Sequence, residues 1–139
     1  MRQALTTLSV PTRGPGLVEI TAQVADWLSH GDIREGLVTV FIRHTSASLV
    51  IQENADPDVR ADLDAFLRRV VPEDPRLYRH TAEGDDDMPA HIRAALTATT
   101  LSIPLRDWKL CLGTWQGIYV FEHRRGSNVR SVVVHAMGE

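Results

Sequence analysis

Gly36-Leu37-Val38-Thr39-Val40-Phe41-Ile42-Arg43-His44 is the stretch that decides the architecture. Between Leu37 and Ile42 it is almost wholly apolar and rich in β-branched and aromatic side chains, the composition of a strand. Its unbroken apolarity predicts burial on both faces. His44 ends the run on the side of Val38, Val40 and Ile42 if the pleat continues. A short Thr-Ser-Ala turn leads to a second expected strand, Ser48–Gln52.

Working outward, residues Gln3–Val10 alternate in the manner of an edge strand, and Pro11–Gly16, with two prolines and two glycines, reads as a turn. Leu17, Ile20, Val24, Trp27 and Leu28 recur at helical spacing and Gly31 follows them, predicting a first helix. Asp56-Pro57 is a helix start, with Asp as N-cap and Pro in the first turn. Val59, Leu63, Phe66, Leu67 and Val70 give that second helix its apolar stripe. A polar, acidic loop over Tyr78–Asp87 precedes a third helix opened by Pro89. Strands are expected at Thr100–Leu105, Trp108–Gly113, Gly117–Arg124 and Val129–His135. The fold class is α+β, with a mainly antiparallel sheet or sandwich backed by helices.

The 139 residues suit one domain spanning 1–139. A formal charge of −3 opposes a phosphate backbone, so no nucleic-acid partner is expected. No apolar run is long enough to span a bilayer, and no membrane partner is expected. The N-terminal residues lack a targeting pattern, so the expected location is the cytoplasm. The single Cys111, between Leu110 and Leu112, forbids an intrachain disulfide and reads as a small core residue.

Chemistry concentrates on histidine. His44 ends the central strand, His80 opens the acidic loop and His91 lies in the first turn of the third helix. Three imidazoles with an open fourth position suit a Zn²⁺-like ion. Asp87, four residues before His91, shares its helix face and can orient it or move a proton. Isolated histidines are more often hydrogen-bonded surface residues, and no His-x₃-His or Cys-x₂-Cys pair is present. Asp85, Asp86 and Asp87 exceed what helix capping needs, and a nearby cation would relieve their mutual repulsion. Around Gly113-Thr-Trp-Gln-Gly117 the backbone is expected to turn sharply and present Trp115 and Gln116 at a rim. Asn54 follows the second strand without a capping role. Glu122 and His123 point to opposite faces of their strand. Arg124, Arg125 and Arg130 either bind phosphate or form a solvated face.

The runs His44-Thr-Ser-Ala-Ser-Leu, Glu53-Asn-Ala-Asp-Pro57, Tyr78-Arg-His80 with Glu83-Gly-Asp-Asp-Asp-Met-Pro-Ala-His91, and Leu112-Gly-Thr-Trp-Gln-Gly-Ile-Tyr119 together resemble the secondary thiamine-phosphate synthase family over nearly the whole chain. The resemblance implies a two-sheet α+β sandwich, a homotrimer, and a metal site at His44, His80 and His91. It also implies weak thiamine-phosphate synthase activity, the transfer of hydroxymethylpyrimidine from its diphosphate to thiazole phosphate. In that reaction Arg124 and a metal would meet the diphosphate, Trp115, Gln116 and Asn54 would hold the substrate, and Asp87 or Glu122 would orient it or move a proton. A diphosphate substrate would suit Mg²⁺, whereas histidines favour zinc. Two other readings stand beside this one: a metal-dependent hydrolase or lyase of a small phosphorylated metabolite, and a non-enzymatic binding protein for a metal or small ligand.

Overall fold

The computed structural model describes every residue from Met1 to Glu139. Eight strands and three helices follow in the order β1 (Arg2–Arg13), β2 (Gly16–Glu19), α1 (Thr21–Ser29), β3 (Gly36–Ile42), β4 (Ala47–Glu53), α2 (Pro57–Val70), α3 (Asp87–Leu96), β5 (Thr100–Arg106), β6 (Lys109–Leu110), β7 (Gln116–Glu122) and β8 (Ser127–Gly138). A single 3₁₀ turn, Pro75–Leu77, lies between α2 and α3. No helix is long and apolar enough to cross a membrane.

The strands form two sheets with every pairing antiparallel: a five-stranded sheet in the order β1-β8-β3-β5-β6 and a three-stranded sheet in the order β2-β7-β4. The fold is therefore the α+β, two-sheet arrangement expected. Between the sheets, Val38, Val40, Ile42, Val132 and Val134 of the larger meet Leu49, Ile118 and Val120 of the smaller, and α1 adds Val24 and Leu28. Helices α2 and α3 cover the other face of the small sheet. Gly36 and Gly138 pair directly, and a Cβ on either would strike the opposing main chain, so the register of β3 on β8 depends on both.

Several local expectations need correction. Burial along β3 alternates: Val38, Val40 and Ile42 are buried, while Leu37 and Phe41 (44% exposed) face outward with Leu5 (63%), Val129 (66%) and Met137. The apolar run thus reflects one core face and one bare apolar sheet face, not double burial. Leu17 does not begin α1; it lies in β2 opposite Phe121, because pairing with β7 overrides the helical spacing. Helix α3 starts at Asp87, two residues before Pro89. The strand expected over Trp108–Gly113 shrinks to Lys109–Leu110, since Asp107 and Trp108 both adopt positive φ in a tight hairpin turn locked by Arg34 to Asp107. Cys111 falls just past this short strand and is exposed, not core.

Helix α3 is fastened to the small sheet by a buried polar chain. Thr97 Oγ1 donates to the Arg93 carbonyl at 2.9 Å and meets Ser48 Oγ at 2.6 Å, and Ser48 Oγ meets His123 Nε2 at 2.9 Å. Arg93, itself buried, donates to the Val71 carbonyl at the end of α2. Burial, then the positive charge of Arg93, pushes the His123 imidazole from 6.5 down to about 4. The unfolded chain therefore takes up this proton at a higher pH than the folded chain, so the stabilisation is complete above 6.5 and is lost as pH falls toward 4. Urea titrations at pH 7 and pH 4.5 are expected to show about 2–3 kcal/mol more acid loss in the wild-type chain than in His123→Gln. Equal losses in both would contradict a neutral, buried His123.

Candidate metal centre

The acidic loop and the first turn of α3 build a compact ligand group. Gly84, at φ +106°, reverses the chain so that the Asp87 amide donates to its carbonyl, and a side chain there would press on Asp86. This turn brings His80 over the start of α3, where Asp87 and His91 lie one helical turn apart. Asp87 is buried at the floor, and the two imidazoles stand above it with ring centroids 5.6 Å apart. Asp87 Oδ2 lies 2.6 Å from His80 Nε2 and 3.1 Å from His91 Nε2. These three donor atoms all fall within 4.8 Å of one another.

The acidic run divides its labour. None of its members caps α3 through its side chain. Asp86 accepts from Arg124 Nε at 3.2 Å and from the Arg125 amide at 3.0 Å. Arg124 continues through NH1 to Asp87 Oδ1 at 3.0 Å and through NH2 to the Glu83 carbonyl at 2.9 Å. One guanidinium thus holds the far oxygen of Asp87 and leaves Oδ2 for the histidines. Burial works to raise the Asp87 carboxyl, but hydrogen bonding to His80 and the charges of His91 and Arg124 outweigh it and hold it below the usual range.

His91 carries the decisive detail. Its Nδ1 lies 2.9 Å from the Thr45 carbonyl, which can only accept, so Nδ1 carries the proton. In the neutral ring, Nε2 is then a lone pair aimed at a carboxylate oxygen 3.1 Å away. Two acceptors so placed need a cation between them, either a proton or a metal ion.

The other expected site residues are placed elsewhere. His44 is outside the ligand group: its Nε2 accepts from the Ser131 amide at 2.8 Å and its Nδ1 faces Arg130 NH1 at 3.4 Å. It lines, with Arg43, Thr45, Ser46, Thr99 and His91, a groove of about 710 Å³ beside the cluster. Burial, then the Arg130 charge, lowers its pKa below the ordinary imidazole value. Glu122 is fully buried between the sheets, where it accepts from Thr12 Oγ1 at 2.6 Å and Arg130 Nε at 2.7 Å, and from the amides of His123 and Arg124. Burial would raise this carboxyl, but the Arg130 and Thr12 hydrogen bonds keep it low. Its oxygens are thus committed to structure. Arg124 is likewise committed to Asp86 and Asp87.

Asn54, Trp115 and Gln116 gather at the opposite end of the small sheet, where Glu53 pairs with Gln116, whereas Ala47 pairs with Glu122 near the histidines. Six residues of strand separate the two ends by about 20 Å. Trp115 is exposed at a rim, as expected, and Gln116 Oε1 accepts from the Gly113 amide at 2.8 Å to close the turn. Sequence reading missed the Thr45 carbonyl and the tie from Arg124 to Asp87, which join residues distant in the chain and leave no local pattern. Arg130→Met strands Glu122 as a buried, unpaired charge and is expected to cost about 3–5 kcal/mol in chemical denaturation. A cost under about 1 kcal/mol, within the range of ordinary surface substitutions, would contradict the pair's structural role.

The family described as "UPF0047 protein YjbQ-like" matches residues 6–139. A UPF0047 protein of Synechocystis is 51% identical over 138 residues, covering 99% of this chain and 94% of its own. The UPF0047 protein YjbQ of Salmonella typhimurium is 42% identical over 138 residues, covering 99% and 98%. A crystal structure of a YjbQ/UPF0047-family protein from Clostridium acetobutylicum superposes with a TM-score of 0.86 at 34% identity, covering 95% of this chain and 99% of that one. The conserved hypothetical protein TT1486 of Thermus thermophilus gives 0.85 at 36%, with the same coverage. These matches correct the resemblance drawn from the sequence motifs. The family, both relatives and the Clostridium structure carry the UPF0047 designation, and none of the matches is named for thiamine-phosphate synthesis, so the thiamine-phosphate synthase assignment and the transferase class it implied are withdrawn.

Proposed function

The chain belongs to the YjbQ-like UPF0047 family, and we propose that it is a metal-dependent hydrolase of a small phosphorylated metabolite, with the ion held by His80, Asp87 and His91. The observation that carries this reading is the pairing of the His91 Nε2 lone pair with Asp87 Oδ2 at 3.1 Å, its tautomer set by Thr45. Two imidazoles and one carboxylate are a zinc-type donor set, and Mg²⁺, which prefers oxygen, fits it less well. Such an ion, when bound, polarises a phosphoryl oxygen and acidifies a water.

The protein's own groups divide the remaining work. Arg124 and the Thr45 carbonyl orient two of the ligands from behind, as second partners of metal ligands commonly do. The groove running from His91 past Thr45, Ser46 and Thr99 to Arg43 offers hydroxyl and cationic donors to a phosphorylated substrate. The cytoplasm, where a phosphorylated metabolite and an unpaired exposed Cys111 are both at home, is the proposed location.

The same proposal includes self-assembly as a homotrimer. The outward positions of the large sheet, from Gln3 to Pro11 on β1, Val129 to Met137 on β8, Leu37 to Phe41 on β3 and Thr100 to Pro104 on β5, include no Asp, Glu, Lys or Arg. Leu5, Phe41 and Val129 stand exposed among serine and threonine side chains, a surface free of carboxylates, lysines and arginines and suited to a like surface on other copies. Light scattering is expected to give a trimer for the wild type and a folded monomer for Leu5→Glu/Val129→Glu, and a monomeric wild type would overturn the assembly.

Elemental analysis after zinc loading is expected to give about one equivalent per chain, lost in His80→Ala, Asp87→Ala and His91→Ala but kept in His44→Ala. With p-nitrophenyl phosphate as probe, zinc-loaded protein should turn over and Asp87→Ala should fall by roughly 100-fold. Zinc retained by Asp87→Ala, or lost only in His44→Ala, would overturn the ligand assignment. Bound zinc with no hydrolysis of any phosphate ester would leave a binding protein and overturn the hydrolase.

A further inference from the structure

His44 and Arg130 present an unusual conflict of donors. The Ser131 amide donates to His44 Nε2 at 2.8 Å, and a backbone N–H has no other role to play, so the neutral ring carries its proton on Nδ1. That Nδ1–H faces Arg130 NH1 at 3.4 Å, and a guanidinium nitrogen can only donate. Two donors therefore stand side by side with no acceptor between them. Arg130 cannot turn away, because Nε and NH2 are both held by Glu122 in the buried layer between the sheets, and NH2 also approaches the Ser46 carbonyl at 3.4 Å. The residue is 6% exposed, so its NH1 is a fixed and largely desolvated donor.

We propose that His44 Nδ1–H and Arg130 NH1 form the anchor of an oxyanion site, a seat for one oxygen of a phosphoryl or carboxylate group entering along the groove that His44 lines. A single anionic oxygen accepting from both donors removes the conflict, and charge-assisted bonds from a pre-positioned guanidinium and imidazole are the strong kind. Arg43, Thr45 and Ser46 lie on the same groove wall and supply further donors to the group's other oxygens. The turn that carries His44 also carries the Thr45 carbonyl that orients His91, so one short loop spaces the anion seat from the metal ligands. His44, the third member of the expected histidine triad, thereby gains a role as a substrate donor. This assigns the substrate's anionic end in the hydrolase reading above and rests on that reading for its purpose, although the seat itself needs no metal.

The experiment uses chelator-stripped, full-length protein titrated with inorganic phosphate and, separately, with acetate, following the Ser131 amide and the His44 ring by NMR. Phosphate is expected to bind at up to on the order of 10 mM and to move both signals. His44→Phe should weaken binding about tenfold, and His44→Gln, which keeps a donor, should restore most of it. Tighter binding of phosphate than acetate identifies a phosphoryl group, the reverse a carboxylate, and either supports the seat. Absence of binding by both anions, or equal binding by wild type and His44→Phe, overturns it. Zinc loading is scored separately, so a protein that binds zinc but no anion loses only this inference, and one that binds phosphate but no zinc loses only the metal centre.

Discussion

Asp87 is the carboxylate on which the arrangement of this surface depends. Buried at the start of α3, it is drawn on by four partners at once: two imidazoles at Oδ2, the Arg124 guanidinium at Oδ1, and the main chain of the Gly84 turn through its amide. Removing it would free the loop that carries His80, release Arg124 from one of its acidic partners and leave His91 Nε2 without its partner. A charge so buried persists only when every one of its acceptor directions is used. The negative charge of Asp86 and Asp87 makes sense in these terms, since Asp86 is consumed by Arg124 and the Arg125 amide, and Asp87 by Arg124 and two histidines.

A second buried carboxylate, Glu122, organises the neighbouring wall. It fixes Arg130, which with the Ser131 amide brackets His44. The two networks meet in the turn between β3 and β4, where Thr45 serves the first and His44 and Ser46 the second. Helix α3 holds Asp87 and His91 in place because Thr97 and Arg93 tie it to Ser48 and to the end of α2. Rigid elements with locked side chains are what a metal centre needs if its ligands are to keep their geometry without the ion.

Much of this was readable in the sequence where the determinants were local. Asp56-Pro57 capped α2 as expected, with the Asp56 side chain accepting from the Asp58 amide, and the four-residue spacing of Asp87 and His91 correctly put them on one helix face. The failures have long-range causes. The apolarity of Leu37–Ile42 identified a strand but could not say what covers each face, and its outward half proved bare. Three histidines of equal standing in the sequence are divided in the fold by the Ser131 amide, 87 residues from His44, which engages one ring nitrogen. Trp115 and Asn54 carried conspicuous motifs, yet the antiparallel register of β4 on β7 sets them at the far end of the sheet from the histidines. The thiamine-phosphate reading failed for a different reason: motifs in order indicate kinship, and the kin carry the UPF0047 designation.

Zinc-edge X-ray absorption on the zinc-loaded chain tests the account most directly. Coordination by His80, Asp87 and His91 predicts a shell of two imidazole nitrogens at about 2.0–2.1 Å with oxygen at about 2.0–2.2 Å, losing one imidazole in His80→Ala or His91→Ala and unchanged in His44→Ala. A shell containing three imidazoles that loses one in His44→Ala, or an all-oxygen shell, would contradict it.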